Sequence, residues 1–206
     1  HAYYPTVRID VKPHTPSPLL HCTYEPSFAR SKPLTVSVIG AIGGNKGSAI
    51  LYALAGLIRR LAVNIRLVVI GSTDRHELAF CTSDGRFQIT GRYAREDISQ
   101  LLADYQTGIV LIPSLWPETF SYTTQEALQS GYPVITFAQG GSAEQVSELN
   151  GGWVLHEKNA EAVLALLRHL LRHREEVEEK AARLSQHLGG PDKEQVSQHN
   201  MATIDV

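Results

Sequence analysis

Residues 35–71 read TVSVIGAIGGNKGSAILYALAGLIRRLAVNIRLVVIG, and this stretch decides the fold. Val36-Ser37-Val38-Ile39 is a β-branched run ending at Gly40, the pattern of a short buried strand. From Lys46 to Leu61 the apolar residues Ile50, Leu51, Leu54, Leu57, Ile58 and Leu61 recur at helical spacing. Leu67-Val68-Val69-Ile70, closed by Gly71, is a second strand. Strands that are nearly continuously apolar belong to a parallel sheet covered on both faces. This strand–helix–strand unit therefore predicts a doubly wound α/β domain.

The pattern continues outward. Phe87-Gln88-Ile89, ahead of Gly91, is a weaker third strand, and Asp97 to Tyr105 is a helix carrying Ile98, Leu101 and Leu102. Ile109 to Ile112 is a fourth strand, stopped by Pro113. Tyr122 to Gln129 is a helix closed by Gly131; Val134 to Phe137 and Gly152 to Leu155 supply a fifth and a sixth strand. Asn159 to about Leu188 is a helical tail with an apolar face from Val163 to Leu171. Residues 1–34 hold six of the ten prolines, which predicts a connector or edge segment with one short strand at Val7, Ile9 and Val11. The division expected is thus a connector over 1–34, a Rossmann-like domain with a mostly parallel sheet over 35–188, and a polar, fraying tail over 189–206.

Composition narrows the function classes. The chain has 206 residues, 19 Lys and Arg against 21 Asp and Glu, and a net charge of -2, which argues against a nucleic-acid binder. With 43% hydrophobic and 19% charged residues it is an ordinary globular mixture. No apolar run approaches the ~18 residues of a membrane span, so membrane contact is expected only peripherally, for instance through Arg59-Arg60. Two cysteines, Cys22 and Cys81, cannot build a disulfide framework; a reducing, cytoplasmic setting is expected, with Cys81 as a buried thiol. His169 and His173 have the i, i+4 spacing of a helical metal chelate, but Arg168, Arg172 and Arg174 surround them with positive charge, so a solvated face is the better reading and no metal is expected. The chain opens on His1 rather than Met, which gives the expectation of a piece of a longer polypeptide.

Ligands of open α/β sheets bind beyond the carboxyl ends of the strands, so the residues that follow each strand carry the chemistry. After the first strand comes Gly40-Ala41-Ile42-Gly43-Gly44-Asn45-Lys46-Gly47, a glycine-rich turn with Lys46 at a helix start. Backbone N–H groups, the helix dipole and the lysine suit an anion there; a tight turn with a solvated lysine is the plainer alternative. The spacing matches neither the Walker loop nor G-x-G-x-x-G, and the absence of the latter sets aside a dinucleotide oxidoreductase. After the fourth strand, Glu118 and Glu126 stand eight residues apart around Phe120-Ser121-Tyr122-Thr123. N–H groups and hydroxyls of this stretch suit a phosphate, and both carboxylates can face one cleft and accept from paired hydroxyls. The plainer alternative has Glu118 capping the helix and Glu126 on its surface.

The run from Ile112 to Val146 resembles the nucleotide-sugar-binding motif of retaining glycosyltransferases with the GT-B fold, in the "group 1" family. The resemblance rests on Pro113-Ser114, on Glu118 and Glu126, on Ser130-Gly131-Tyr132-Pro133-Val134, and on a Gly-Gly loop at Gly140-Gly141-Ser142-Ala143-Glu144-Gln145-Val146. Lys46-Gly47 and Thr90-Gly91-Arg92-Tyr93 match earlier turns of that family, and the whole covers roughly residues 34–170. It implies one half of a GT-B fold, the C-terminal, donor-binding one, that takes a nucleoside-diphosphate sugar as donor and needs neither cofactor nor metal. It implies that Lys46, at the Gly43 turn, neutralises the diphosphate; that Glu118 binds the transferred sugar and is the catalytic candidate; that Phe120, Ser121, Tyr122 and Thr123 offer backbone donors to the phosphates; that Glu126 binds the ribose; and that Gly91 and Arg92 lie by the base. The partner it implies is an acceptor domain preceding residue 1, without which hexosyl transfer is weak or absent. Ala41 stands where the family often has arginine, and Thr119 and Ser121 where glycines flank the phenylalanine. These departures keep open an alternative: a non-catalytic nucleotide- or partner-binding Rossmann-like module.

Overall fold

The alternation of apolar runs folds into a single seven-stranded sheet. The computed structural model describes residues 32–189. In chain order the elements are β1 (Leu34–Ile42), α1 (Ser48–Arg60), β2 (Ile65–Thr73), β3 (Phe80–Cys81), β4 (Phe87–Ile89), α2 (Ile98–Asp104), β5 (Thr107–Ile112), α3 (Tyr122–Gln129), β6 (Val134–Phe137), α4 (Gly140–Glu148), β7 (Gly152–Leu155), α5 (Ala160–Arg172) and α6 (Arg174–Gly189). Across the sheet the strands lie β3-β4-β2-β1-β5-β6-β7. All neighbours are parallel except the short β3, which runs antiparallel to β4. Without β3, the six parallel strands follow the Rossmann order 3-2-1-4-5-6. From β1 the chain winds outward through β2 to β4, then crosses back to lay β5 on the other side of β1. The sheet therefore reverses direction between β1 and β5, and a crevice opens beyond their carboxyl ends.

Both faces of the sheet are buried, which is why the strands read as continuous apolar runs. Val36 and Val38 of β1, Leu67 and Val69 of β2, Ile109 and Leu111 of β5, and Ile135 and Phe137 of β6 pack on one side with Leu51 and Leu54 of α1 and Val163 and Leu167 of α5. Val68 and Ile70, Val110 and Ile112, and Val134 point the other way, onto Ile98 and Leu102 of α2, Leu128 of α3 and Val146 of α4. The buried polar pair between β1 and β5, Ser37 with Thr107, is satisfied by a hydroxyl–hydroxyl bond of 2.7 Å.

Besides the added edge strand β3, four details depart from the sequence reading. β1 and β2 run past Gly40 and Gly71: a Cβ on Gly71 would lie 2.1 Å from the Gly40 carbonyl oxygen, so the pair lets the strands stay close to their ends. The segment from Gly140, read as a loop, is helix α4. Its glycines serve approach rather than flexibility, since a Cβ on Gly140 or Gly141 would lie within 2.6 Å of the carbonyl oxygen of Glu118 or Thr119. The helical tail breaks at His173 (φ -119°, ψ 60°) into α5 and α6, and buried Arg174 donates to the Lys32 carbonyl at 2.8 Å. Cys81, expected buried, is exposed on the edge strand β3 because a two-residue antiparallel edge strand has only one neighbour to cover it. The predicted strand at Val7–Val11, the connector character of 1–31 and the tail beyond 189 lie outside the described residues. Among the described residues no helix is long and apolar enough to cross a membrane.

Candidate functional site

Two loops meet at the β1/β5 crevice. The turn after β1 places Lys46 at the end of a short 3-10 segment, Gly44–Lys46, and Gly47 then takes a left-handed conformation (φ 83°) that starts α1. A Cβ on Gly47 would lie 2.0 Å from the Pro113 carbonyl oxygen, so only glycine lets this turn lie against the end of β5. The Leu115 N–H donates to the Asn45 carbonyl at 2.8 Å and ties the two loops together. The N–H groups of Lys46, Gly47 and Ser48 close onto the Gly43 and Gly44 carbonyls. What the turn presents outward is the exposed Lys46 side chain rather than those N–H groups.

The loop after β5 is held from behind by α4. The Gly141 N–H donates to the Glu118 carbonyl at 2.7 Å, and the Gln139 side-chain amide donates to the Ser114 carbonyl at 2.7 Å. Ser121, not Glu118, caps α3: its hydroxyl accepts from the Thr124 N–H at 3.4 Å and the Thr124 hydroxyl at 2.8 Å. Ser121 is buried, and its hydroxyl oxygen serves the helix cap; the role the resemblance implies for this residue is that of a backbone donor, which the cap does not use. Tyr122 and Thr123 form the first turn of α3, where partial positive charge gathers. Phe120 packs edge-on against Tyr122, with ring centroids 5.1 Å apart.

Lys46, Glu118 and Thr123 line one small hollow with Ile42 and Pro113. Thr123 also belongs to the adjoining, larger cleft of about 590 Å³, with Gly40, Ala41, Ser72, Arg92, Tyr122 and Glu126 on its walls. Glu118 and Glu126 thus face neighbouring hollows joined at Thr123 rather than one pocket. Gly91 (φ 85°), bonded through its N–H to the Gly71 carbonyl at 2.9 Å, turns the chain so that Arg92 and Arg95 reach this cleft. Trp116 is 63% exposed and lines neither hollow. The His169 and His173 rings lie tilted to each other with centroids 4.4 Å apart and His169 bonds Glu176 at 2.7 Å, but among the described residues no group of three or more His, Cys, Asp or Glu is placed to hold a metal ion.

Glu126 is not a surface residue. It is 3% exposed on α3, and its Oε1 accepts from the Arg95 Nε in an ion pair. Burial pushes its carboxyl above the ordinary carboxylate value, while the Arg95 guanidinium pulls it down less strongly. Burial, then the Glu126 charge, raise the Tyr93 phenol in the same cleft. A carboxyl raised in the folded state adds stability that is present below its unfolded pKa and lost as pH rises through the folded one. In urea melts from about pH 4 to about pH 7, Glu126→Gln should therefore gain on the unsubstituted chain as pH rises; a gap that shrinks would contradict this.

The family model for glycosyl transferases group 1 matches residues 24–187. The chain belongs to that family. No curated protein matches it, but solved structures share its fold. Anabaena Alr3699/HepE, in complex with UDP, superposes with a TM-score of 0.59 at 19% identity over 76% of this chain and 44% of its own. WaaG, a glycosyltransferase involved in lipopolysaccharide biosynthesis, gives 0.60 at 22% identity over 79% and 44%. The catalytic domain of starch synthase IV from Arabidopsis thaliana, bound to ADP and acarbose, gives 0.54 at 14% identity over 85% and 39%. This group 1 chain therefore spans less than half the length of each of these structures. Within it, the cleft residue that sequence reasoning passed over is Arg95. It follows β4 as closely as Glu118 follows β5, and reading on from Arg92 by the same rule would have found it.

Proposed function

We propose that the chain is the donor-binding, C-terminal half of a retaining, metal-independent glycosyltransferase acting on a nucleoside-diphosphate sugar. The observation that carries this reading is the cleft at the β1/β5 switch point, with buried Glu126 in its wall and Lys46 and Glu118 in the hollow beside it. Glu126 accepts from the ribose hydroxyls. Lys46 and the N-terminus of α3, with Thr123 where the hollows join, take the diphosphate and stabilise it as the leaving group, an electrostatic task like that of an oxyanion hole. Glu118 binds hydroxyls of the transferred sugar, and Gly91 and Arg92 flank the base. UDP and ADP are both bound among the structures that share the fold, which supports a diphosphate donor and leaves the base to the experiment. The acceptor and its remaining contacts belong to a second domain, so the chain alone transfers little.

Thermal unfolding with UDP, ADP, GDP and dTDP and their sugar conjugates tests this. At about 100 times its dissociation constant the right nucleotide adds roughly 2.7 kcal/mol, a rise of about 5–10 °C, unchanged by EDTA. No rise with any of them contradicts the reading. Ala41, in the place of the family's arginine, favours a second reading, a non-catalytic nucleotide-binding module. Under that reading sugar conjugates bind no better than bare diphosphates, and Glu118→Ala changes neither.

A further inference from the structure

Three side chains of the cleft form one assembly that the proposed roles leave unused. Tyr122 and Glu126 stand four residues apart on α3, one turn on the same face. Arg95, from the segment after β4, spans that turn. Its Nε donates to Glu126 Oε1, and its guanidinium carbon lies 5.5 Å from the Tyr122 ring centroid. The Arg95 side chain is 56% exposed at the mouth of the cleft, whereas that of Glu126 is 4% exposed at its wall. The arginine is thus the bridge between a buried acceptor and the open side from which a ligand enters. Among the described residues the other charged or titratable groups on this cleft are Arg92 and the Tyr93 phenol.

We propose that Arg95 is a positioning residue of the donor site, holding the Glu126 carboxylate in place as the acceptor for the paired hydroxyls of a ribose. The proposal rests on the donor reading above. One carboxylate offers about four acceptor positions on two oxygens, so an Nε–H on Oε1 leaves room for both hydroxyls. Clamped between Tyr122 and Glu126, the guanidinium restricts the carboxylate to one orientation. It also keeps a negative charge tolerable at a buried position, where an unpartnered carboxylate takes up a proton and loses acceptor capacity. Among the described residues β1 itself brings only Gly40 and Ala41 to this cleft, so the guanidinium that reaches Glu126 comes from the β4 side.

The test measures affinities of the full chain for UDP and ADP and for their 2′,3′-dideoxy counterparts at one pH below and one pH above the Glu126 midpoint that NMR finds in Arg95→Ala. The unsubstituted chain should prefer the ribonucleotide by about tenfold or more. In Arg95→Ala the preference should fall below about threefold at the lower pH and recover at the higher one as Glu126 ionises unaided. Arg95→Lys, which keeps the charge and loses the planar fork, should fall between. NMR titration of the Glu126 carboxyl carbon should show a higher midpoint in Arg95→Ala. An unchanged preference at both pH values, an equal loss at both, or an unmoved midpoint overturns the proposal. The donor reading fails separately: it falls if Glu126→Gln keeps the full ribose preference or if no nucleotide binds, and the carboxyl titration still decides whether Arg95 sets the state of Glu126.

Discussion

Replacing Glu126 with Gln is expected to cost about 10- to 150-fold in affinity for the cognate nucleoside diphosphate, the equivalent of roughly 1.5–3 kcal/mol for hydrogen bonds to a charged acceptor. The substitution keeps the shape of the side chain but exchanges one oxygen for an amide donor. One of two ribose hydroxyls then faces an N–H where it needs a lone pair. Glu126 is 3% exposed, so water cannot make up the loss. The fold should survive, because burial already disfavours the charged carboxylate that the substitution removes. Calorimetric titration of both chains, with circular dichroism to check folding, measures this. Equal affinities in two folded chains would remove the ribose role from Glu126.

The second large effect is on stability. Gly47→Ala places a methyl group 2.0 Å from the Pro113 carbonyl oxygen at a residue with φ 83°. The left-handed backbone costs an L-residue about 1–2 kcal/mol, and overpacking against a fixed backbone adds roughly 1–3 kcal/mol. The sum, about 2–5 kcal/mol, lowers Tm by roughly 5–20 °C in a chain of this size. If the turn moves away instead, Lys46 leaves the hollow it shares with Glu118, so diphosphate affinity falls together with stability. Gly44→Ala is the control from the same turn, since a Cβ there meets nothing within 4 Å. Equal melting points for the two variants would show that the contact between the β1 turn and Pro113 does not constrain the site.

The central strands were legible because a parallel sheet buries both faces: Leu67-Val68-Val69-Ile70 has no polar alternation to confuse it, and all four residues are fully buried. Helix α3 was legible from Tyr122 to Gln129 with Gly131 as its stop, although its cap is Ser121 rather than Glu118. The two-residue strand β3 was not, because its partner β4 is itself only three residues long and its own pattern is too short to have a period. Helix α4 was hidden by Gly140 and Gly141, which oppose helix by propensity but are set by the approach to Glu118 and Thr119. In the site, Lys46, Glu118 and Glu126 announced themselves by their place after strands and by the family's motif. The sequence did not show that the Ser121 hydroxyl accepts from Thr124 and caps α3. Arg95 lay within reach of the same rule, but its duty was not legible, because that depends on a carboxylate 31 residues away that only the fold brings to it.

The most direct measurement is a map of backbone amide shifts as UDP, ADP, GDP and dTDP are titrated into the isotope-labelled chain. Binding at the switch-point cleft predicts that the perturbed amides cluster at Gly43–Lys46, at Gly91–Arg95 and at Thr123–Glu126, and that the α6 surface around Arg183 and His187 stays still. Shifts confined to that α6 surface, or no shifts with any of the four nucleotides, would contradict a donor site between β1 and β5.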